Sequence, residues 1–408
     1  MVTNAPPDTA TSERRHTRHV TIAFIVLLVL ASRLLLSASG LVASNAFEDD
    51  RAADFEVVNA AIETARDEVS PYAFVHQWYN WDAQHYENLS RQWLDVTRPA
   101  EPNVVTVDGG RAWNEFSWPP LFPLTIAGLH GIFGIEAGVL MLAFNLVLFG
   151  CFLFLVREIV LADGYDEDDA RWAIAINVAA PFAFFLSSAL TEPLFVTLAA
   201  GSLLATRHRR WVLAGALAGL MVWTKMTGVL MFLPLAVAAA LEVRTRWATP
   251  WSQRVRPIAA PVLCAGAYVA YLGFARFLTG TARAPFLTQR YGWGNTVGNP
   301  VVNLITHLDR WQYLAVLALL VLTAALWKYG TMTAVDATYT VVMLLSATTV
   351  VQIAGAAPRY AAVAFPVATA VALWARPRRA ALPIAVGSGI LQVGLFGVWV
   401  SYWLVEMI

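Results

Sequence analysis

Apolar runs close to twenty residues long recur from Val20 to the C-terminal end of this 408-residue chain. About 20 consecutive apolar residues is the length of α-helix that crosses the hydrocarbon core of a bilayer. Composition agrees, with 58% hydrophobic residues and only 14% charged, where a soluble domain carries about a quarter charged. The alternating ten-residue pattern of an outer-membrane barrel is absent. An all-α polytopic membrane protein is therefore expected. Net charge is zero, which leaves no electrostatic case for a nucleic-acid partner. Cys151 and Cys264 both lie inside apolar runs and read as buried thiols, with neither a disulfide framework nor a metal site indicated.

Basic clusters orient the spans, because Lys and Arg beside span ends stay cytoplasmic. Four clusters occur: Arg14, Arg15, Arg18; Arg207, Arg209, Arg210; Arg244, Arg246, Arg254, Arg256; and Arg376, Arg378, Arg379. With all four inside, about eleven spans result, over 20–41, 137–160, 171–190, 192–206, 211–225, 228–243, 257–279, 311–327, 333–354, 360–375 and 381–405. Residues 1–19, polar and Pro/Thr-rich, read as a disordered cytoplasmic tail, and 20–408 as one transmembrane domain. The hydrophobic run after the tail is longer than a signal-peptide core and lacks a clear cleavage site, so it counts as the first helix.

The run 119–133 resists this scheme. It is apolar but short, opens with Pro119, Pro120 and Pro123, and carries His130. Runs of this length are often re-entrant or interfacial, and a full crossing would carry Arg207 to Arg210 outside. It reads as an interfacial or re-entrant helix on the outer face. The external loop 42–118 precedes it, with Phe55, Val58, Ile62, Ala65 and Val69 at the spacing of an amphipathic surface helix. A second such helix is expected over 78–94. The other large external loop, 280–310, contains the basic and aromatic stretch QRYGW from Gln289 to Trp293.

The motif WDAQHY, Trp81 to Tyr86, follows the first span. On a helix from Trp78, the positions Trp78, Asp82, His85, Tyr86, Leu89 and Trp93 share one face. Asp82 is then a carboxylate held among aromatics near the headgroups, able to take a proton from a sugar hydroxyl as general base. The plainer alternative is that Asp82 caps the helix and the tryptophans form an interfacial belt. Glu192 in ALTEPLF, Lys225 in WTKMTG and Arg359 in PRYAAVAFP fall at outer boundaries under the same topology. Singly, each is explained as a snorkelling end residue. Together they place one acid and two cations around the mouth that Asp82 faces, which suits a lipid-linked phosphate. Arg33, inside the first span, reads as functional by the general rule for intramembrane charges, although it can snorkel. The triplet Glu48, Asp49, Asp50 reads first as a solvated run and second as a metal site or alternative base. No nucleotide-binding glycine fingerprint is present, which argues against a soluble sugar-nucleotide donor.

WDAQHY, SWPPLFPL, ALTEPLF, TKMTG and PRYAAVAFP, in this order, resemble the PIG-V family of GPI mannosyltransferases and its bacterial relatives. The likeness runs from Trp81 to Pro366 and includes the first span. It implies a GT-C fold and an inverting transfer of mannose from polyprenyl-phosphate-mannose to a lipid- or glycan-linked acceptor on the non-cytoplasmic face. Two departures stand out. Lys225 and Met226 replace an Arg-Pro pair usual in the family, and the acidic stretch from Asp49 to Asp67 looks like an insertion, which bears on the acceptor.

The expected enzyme is thus a multi-pass plasma-membrane glycosyltransferase with Asp82 as base. Arg359 holds the leaving phosphate with help from Lys225 and Arg290. His85 and Tyr86 orient the base or a sugar hydroxyl, and Glu192 holds an acceptor hydroxyl or pairs with a cation. Trp81, Gln289, Trp293 and Tyr360 complete the substrate contacts. No metal is required, because fixed cations can stabilise the leaving group. The rival readings are a secondary transporter, which the lack of an internal repeat disfavours, and a non-catalytic flippase or scaffold for a lipid-linked glycan.

Overall fold

The computed structural model describes residues 8–46, 77–79, 82–94, 106–107, 110–111, 118–245, 250–292, 295–351 and 356–401. The expected surface helix at 55–69, the acidic triplet Glu48 to Asp50, and Trp81 and Trp293 lie outside these residues.

Among the described residues the regular structure is helical apart from a two-residue antiparallel pairing of Thr106–Val107 with Gly110–Arg111 and an isolated bridge from Val297 to Val350. Six helical stretches are long and apolar enough to cross a membrane: His19–Ala46, Ala137–Ala162, Met226–Thr245, Trp251–Thr279, Trp311–Lys328 and Ala381–Val400. This is a polytopic helical membrane protein. The first span belongs to α1, Asp8–Ala46. The residues from Asp8 onward therefore continue the helix where composition suggested a disordered tail. Ala, Glu and Arg are good helix formers, and a span already nucleated extends through them at little cost.

Of the remaining expected crossings, 192–206 and 211–225 are helical over nearly the expected residues, whereas 171–190, 333–354 and 360–375 are broken. The run 171–190 is helical only in α5, Glu167–Ala179, followed by a 3-10 turn, Ala183–Leu186, and irregular backbone. Next come α6, Glu192–Arg207, and α7, Trp211–Thr224. After α9, Ala259–Thr279, α10, Pro300–Thr306, and α11, Trp311–Lys328, the run 333–354 is helical in α12, Ala334–Ser346, and 360–375 divides into α13, Ala357–Val363, and α14, Pro366–Ala375. Hydropathy registers burial and not helicity, so an enclosed loop of Ala, Phe, Leu and Ser scores like a span. Irregular backbone is tolerated at membrane depth only where protein encloses it. Phe184, Phe185, Ala189 and Leu190 in the break after α5 are accordingly buried.

Ion pairs mark one end of the bundle. Here α4, Ala137–Ala162, ends beside Asp163, to which Arg207 at the end of α6 bonds at 2.8 and 2.9 Å. Arg207 also reaches Asp336 at the start of α12, at 2.5 Å. Arg376, after α14, pairs with Asp166 and Asp169 before and within α5 at 2.8 and 2.6 Å. Arg209 pairs with Glu242 in α8, Phe232–Thr245, at 3.1 Å. Because α6 runs from Glu192 to Arg207, Glu192 stands at the opposite end of the bundle from this network.

The segment before α4 starts and finishes beside one short helix, α2, Ala83–Leu94. Trp118 packs edge-on against Tyr86, ring centroids 5.2 Å apart. The chain then runs through α3, Leu121–Phe133, and Glu136 returns to Arg91 of α2 at 3.1 Å. Tyr86 and Arg91 are separated by about 7.5 Å of helix rise. Of the two thiols, Cys264 is buried as expected, but Cys151 on α4 is exposed.

Candidate functional site

Four charged residues far apart in sequence meet at the end of the bundle opposite the Arg207 network. Glu192 opens α6 with Pro193 behind it. A proline costs nothing in a first turn, whose N–H groups lack helical partners, and a carboxylate there meets the positive end of the helix dipole. Lys225 is the extended residue that closes α7, followed by the 3-10 turn Met226–Met231. Gly228 is what lets that turn fold back. A Cβ there would sit 2.4 Å from the Met221 carbonyl carbon, so KMTG can be formed only with glycine in its last place. Arg359 lies in the first turn of α13, again behind a proline. Asp82 precedes α2, and its carbonyl accepts the Tyr86 N–H at 3.1 Å.

The contacts form one network. Lys225 Nζ donates to Glu192 Oε1 at 2.7 Å. Arg359 grips the same carboxylate through Nε at 2.9 Å and Nη2 at 3.3 Å, and donates through Nη1 to Asp82 Oδ2 at 2.6 Å. Glu192 is wholly enclosed, while the Asp82 side chain keeps 27% exposure, Lys225 21% and Arg359 15%. An isolated carboxylate as enclosed as Glu192 would cost several kcal/mol; the two cations offset that. Two carboxylates and two cations leave the cluster neutral. Each cation retains donors: an arginine has five N–H groups and an ammonium three, of which these contacts use three and one.

Aromatic side chains wall the cluster. The Tyr360 ring lies 4.6 Å from Lys225 Nζ. Tyr86 is buried, its hydroxyl 3.5 Å from Thr191 Oγ1. Burial, with the Asp82 carboxylate nearby, holds its phenol far above the ordinary value, so Tyr86 is neutral across the physiological range. His85, half-buried, packs against Trp118 with ring centroids 5.5 Å apart.

Several expectations change. Because α2 starts at Ala83, Trp78 lies ahead of the helix and shares no helical face with Tyr86 and Leu89, whereas Asp82 stands at the helix start, one turn before Tyr86. Asp82 enters the cluster through Arg359. Glu192, for which sequence left two roles open, pairs with two cations. Gln289 and Arg290 occupy a π-turn, Thr288–Gly292; Gln289 accepts from Asn295 Nδ2 at 2.7 Å, and the exposed Arg290 lies over Tyr291 at 5.4 Å. Neither bonds to the cluster among the described residues. A stretch rich in Arg and aromatics looks like a site in sequence, but only packing decides where its side chains bond.

Arg33 faces inward. It donates to the Ala183 carbonyl at 3.3 Å and lies over Phe149 at 4.6 Å and Trp78 at 5.7 Å. Sequence reasoning passed over Asn145, Thr191 and Gln392, which border the same break. A lone amide inside AGVLMLAFNLVLFG was the available signal for Asn145. Among the described residues no group of three or more His, Cys, Asp or Glu side chains converges as a metal site would.

No family model matches the chain, and no curated protein matches it. Among solved structures it is similar to ArnT from Cupriavidus metallidurans, determined bound to undecaprenyl phosphate. The two share 13% identity, with 87% of this chain and 70% of that one covered and a TM-score of 0.49.

Proposed function

We propose that this chain is an inverting GT-C-type glycosyltransferase that takes a sugar, mannose by its PIG-V-like motifs, from a polyprenyl-phosphate carrier. The observation that carries the reading is the meeting of Asp82, Glu192, Lys225 and Arg359, one from each of four separate motifs, in a single network. Glu192 works from beneath as a fixed counter-ion, holding two cations side by side. The unspent N–H groups of Arg359 and Lys225 are the donors for the phosphate. Asp82 Oδ2 is taken by Arg359, and Oδ1, which has no partner among the described residues, takes the proton.

In the step proposed, the acceptor hydroxyl gives its proton to Asp82 while its oxygen bonds to the anomeric carbon. The bond from that carbon to the phosphate oxygen breaks, and its electron pair leaves with the carrier phosphate. A donor phosphodiester has one negative charge and the product monoester up to two. Protonation of Asp82 removes one, so the charge of the site is the same before and after transfer. That constancy suits a poorly hydrated site, where an uncompensated charge is expensive.

Purified protein supplied with polyprenyl-phosphate-mannose and a membrane-lipid acceptor fraction should form a mannosylated product, with polyprenyl phosphate released in equal amount. Carrier turnover with glucose or a pentose and none with mannose would reassign the sugar. Movement of the lipid-linked sugar across a vesicle bilayer with no bond broken would instead make the chain a flippase.

The reading also needs all four charges on one face, with 119–133 not crossing. The return of this segment to α2 supports that arrangement, and the basic clusters orient the face outward. In a background lacking Cys151 and Cys264, Ile135→Cys should be labelled by an impermeant maleimide on intact cells, and His208→Cys only after permeabilisation. Labelling of position 208 from outside would overturn both the orientation and the composite site.

A further inference from the structure

The break between α5 and α6 leaves backbone carbonyls without helical partners, and three side chains from three other helices supply donors. Gln392 of α15, Ala381–Ser401, donates to Val178 and Ala180 at 3.2 and 2.8 Å. Arg33 of α1 serves Ala183. Asn145 of α4 donates to the carbonyls of Ser188 at 2.6 Å and Leu190 at 2.8 Å. Away from water each unmet carbonyl would cost several kcal/mol, so all three amide or guanidinium groups stabilise the break. Only one of them adjoins the charged cluster: Leu190 is two residues from Glu192.

The Asn145 contact has the form of a clamp. Its side chain is fully buried, and both N–H groups of one amide go to carbonyls two residues apart. Oδ1 has no partner among the described residues, so the amide spends its donors on the turn and leaves its own acceptor unmet. Beyond the turn, Thr191 and Glu192 are wholly enclosed, and the Thr191 carbonyl already accepts the Phe195 N–H of α6 at 3.0 Å. Glu192 thus follows two residues after a carbonyl that Asn145 holds.

We infer that Asn145 is a positioning residue that sets where the Glu192 carboxylate stands beneath Lys225 and Arg359. Gln392 and Arg33 hold the same break without setting that position. The inference rests on the site geometry and deepens the glycosyltransferase reading, since Glu192 would then fix the spacing of the phosphate-binding cations. Asn145 touches no substrate; it acts through Glu192.

The test reads the freedom of Lys225 directly, so it does not depend on turnover. Detergent-purified protein is treated with an amine-acylating ester, and modification of Lys225 is followed by peptide mass spectrometry. Glu192→Gln, which removes the counter-ion, should raise the rate about tenfold. Asn145→Gln keeps the donors on an arm one carbon longer and should raise it about fivefold with little change in Tm. Gln392→Leu should lower Tm and leave Lys225 as slow as in wild type. Combined with Glu192→Gln, Asn145→Gln should add less than about twofold, because both act on one pair.

Unchanged labelling in Asn145→Gln, equal labelling in Gln392→Leu, or full additivity with Glu192→Gln would each overturn the assignment. In a transfer assay the same Asn145→Gln should raise donor KM about tenfold with acceptor KM unmoved. Absence of transfer by the wild type would remove the enzymatic reading while the Lys225 labelling still judged the clamp.

Discussion

Asp82→Asn should lower transfer by about a thousandfold, within the 10²–10⁴ range of general-base effects, with yield, Tm and donor binding close to wild type. The amide has nearly the shape of the carboxylate and can still accept from Arg359 Nη1, whose main counter-charge is Glu192. What it cannot do is take the proton. The loss should therefore appear in kcat with little change in donor KM, measured as initial rates of product formation. Activity within a few-fold of wild type would remove Asp82 as base and turn attention to Asp49 or Asp50. Asp82→Glu, which keeps the carboxylate but moves it about 1.5 Å along its arm, should retain a few per cent of the rate.

Arg359→Ala should produce the other large effect, and it should strike stability as well as turnover. It removes the residue that ties Asp82 to Glu192 and leaves the enclosed Glu192 with Lys225 alone. Deleting one partner of a buried ionic network costs about 3–5 kcal/mol, enough to lower Tm markedly. Arg359→Lys separates the two effects. It keeps a charge against Glu192, so most of the Tm loss should be recovered, but it lacks the planar fork that serves Glu192, Asp82 and a phosphate together. Donor efficiency should stay down by roughly ten- to hundredfold, about 1.5–3 kcal/mol for a lost charge-assisted contact. Should the Lys variant restore donor kcat/KM fully, or the defect fall on acceptor KM alone, Arg359 does not hold the phosphate.

The membrane class was legible in the sequence because it rests on composition and run length, which need no tertiary information. The motifs were legible for a related reason. A proline after Glu192, another before Arg359 and a glycine three residues after Lys225 are local demands of helix starts and a tight turn, written where the chain needs them. The breaks inside 171–190 and 333–354 were not legible, because enclosed loop residues are as apolar as helix residues. Trp78 does not share the expected face because the helix begins only after Asp82, a boundary that periodicity does not resolve.

By itself, then, the sequence determined a polytopic helical protein, the set of charges at its helix ends, and the resemblance that groups their motifs. Only the tertiary structure decided which of those charges touch. It drew in Asp82, Glu192, Lys225 and Arg359 and left Gln289 and Arg290 bonded elsewhere. It also paired Glu192 with two cations and bonded Asn145 to the turn just before it. The reason is physical: a charge at the end of an apolar run has an intrinsic preference for water, and the sequence records that preference. Whether it is met by solvent, by a headgroup or by an opposite charge from a helix far along the chain depends on packing between elements, which exists only in the folded molecule.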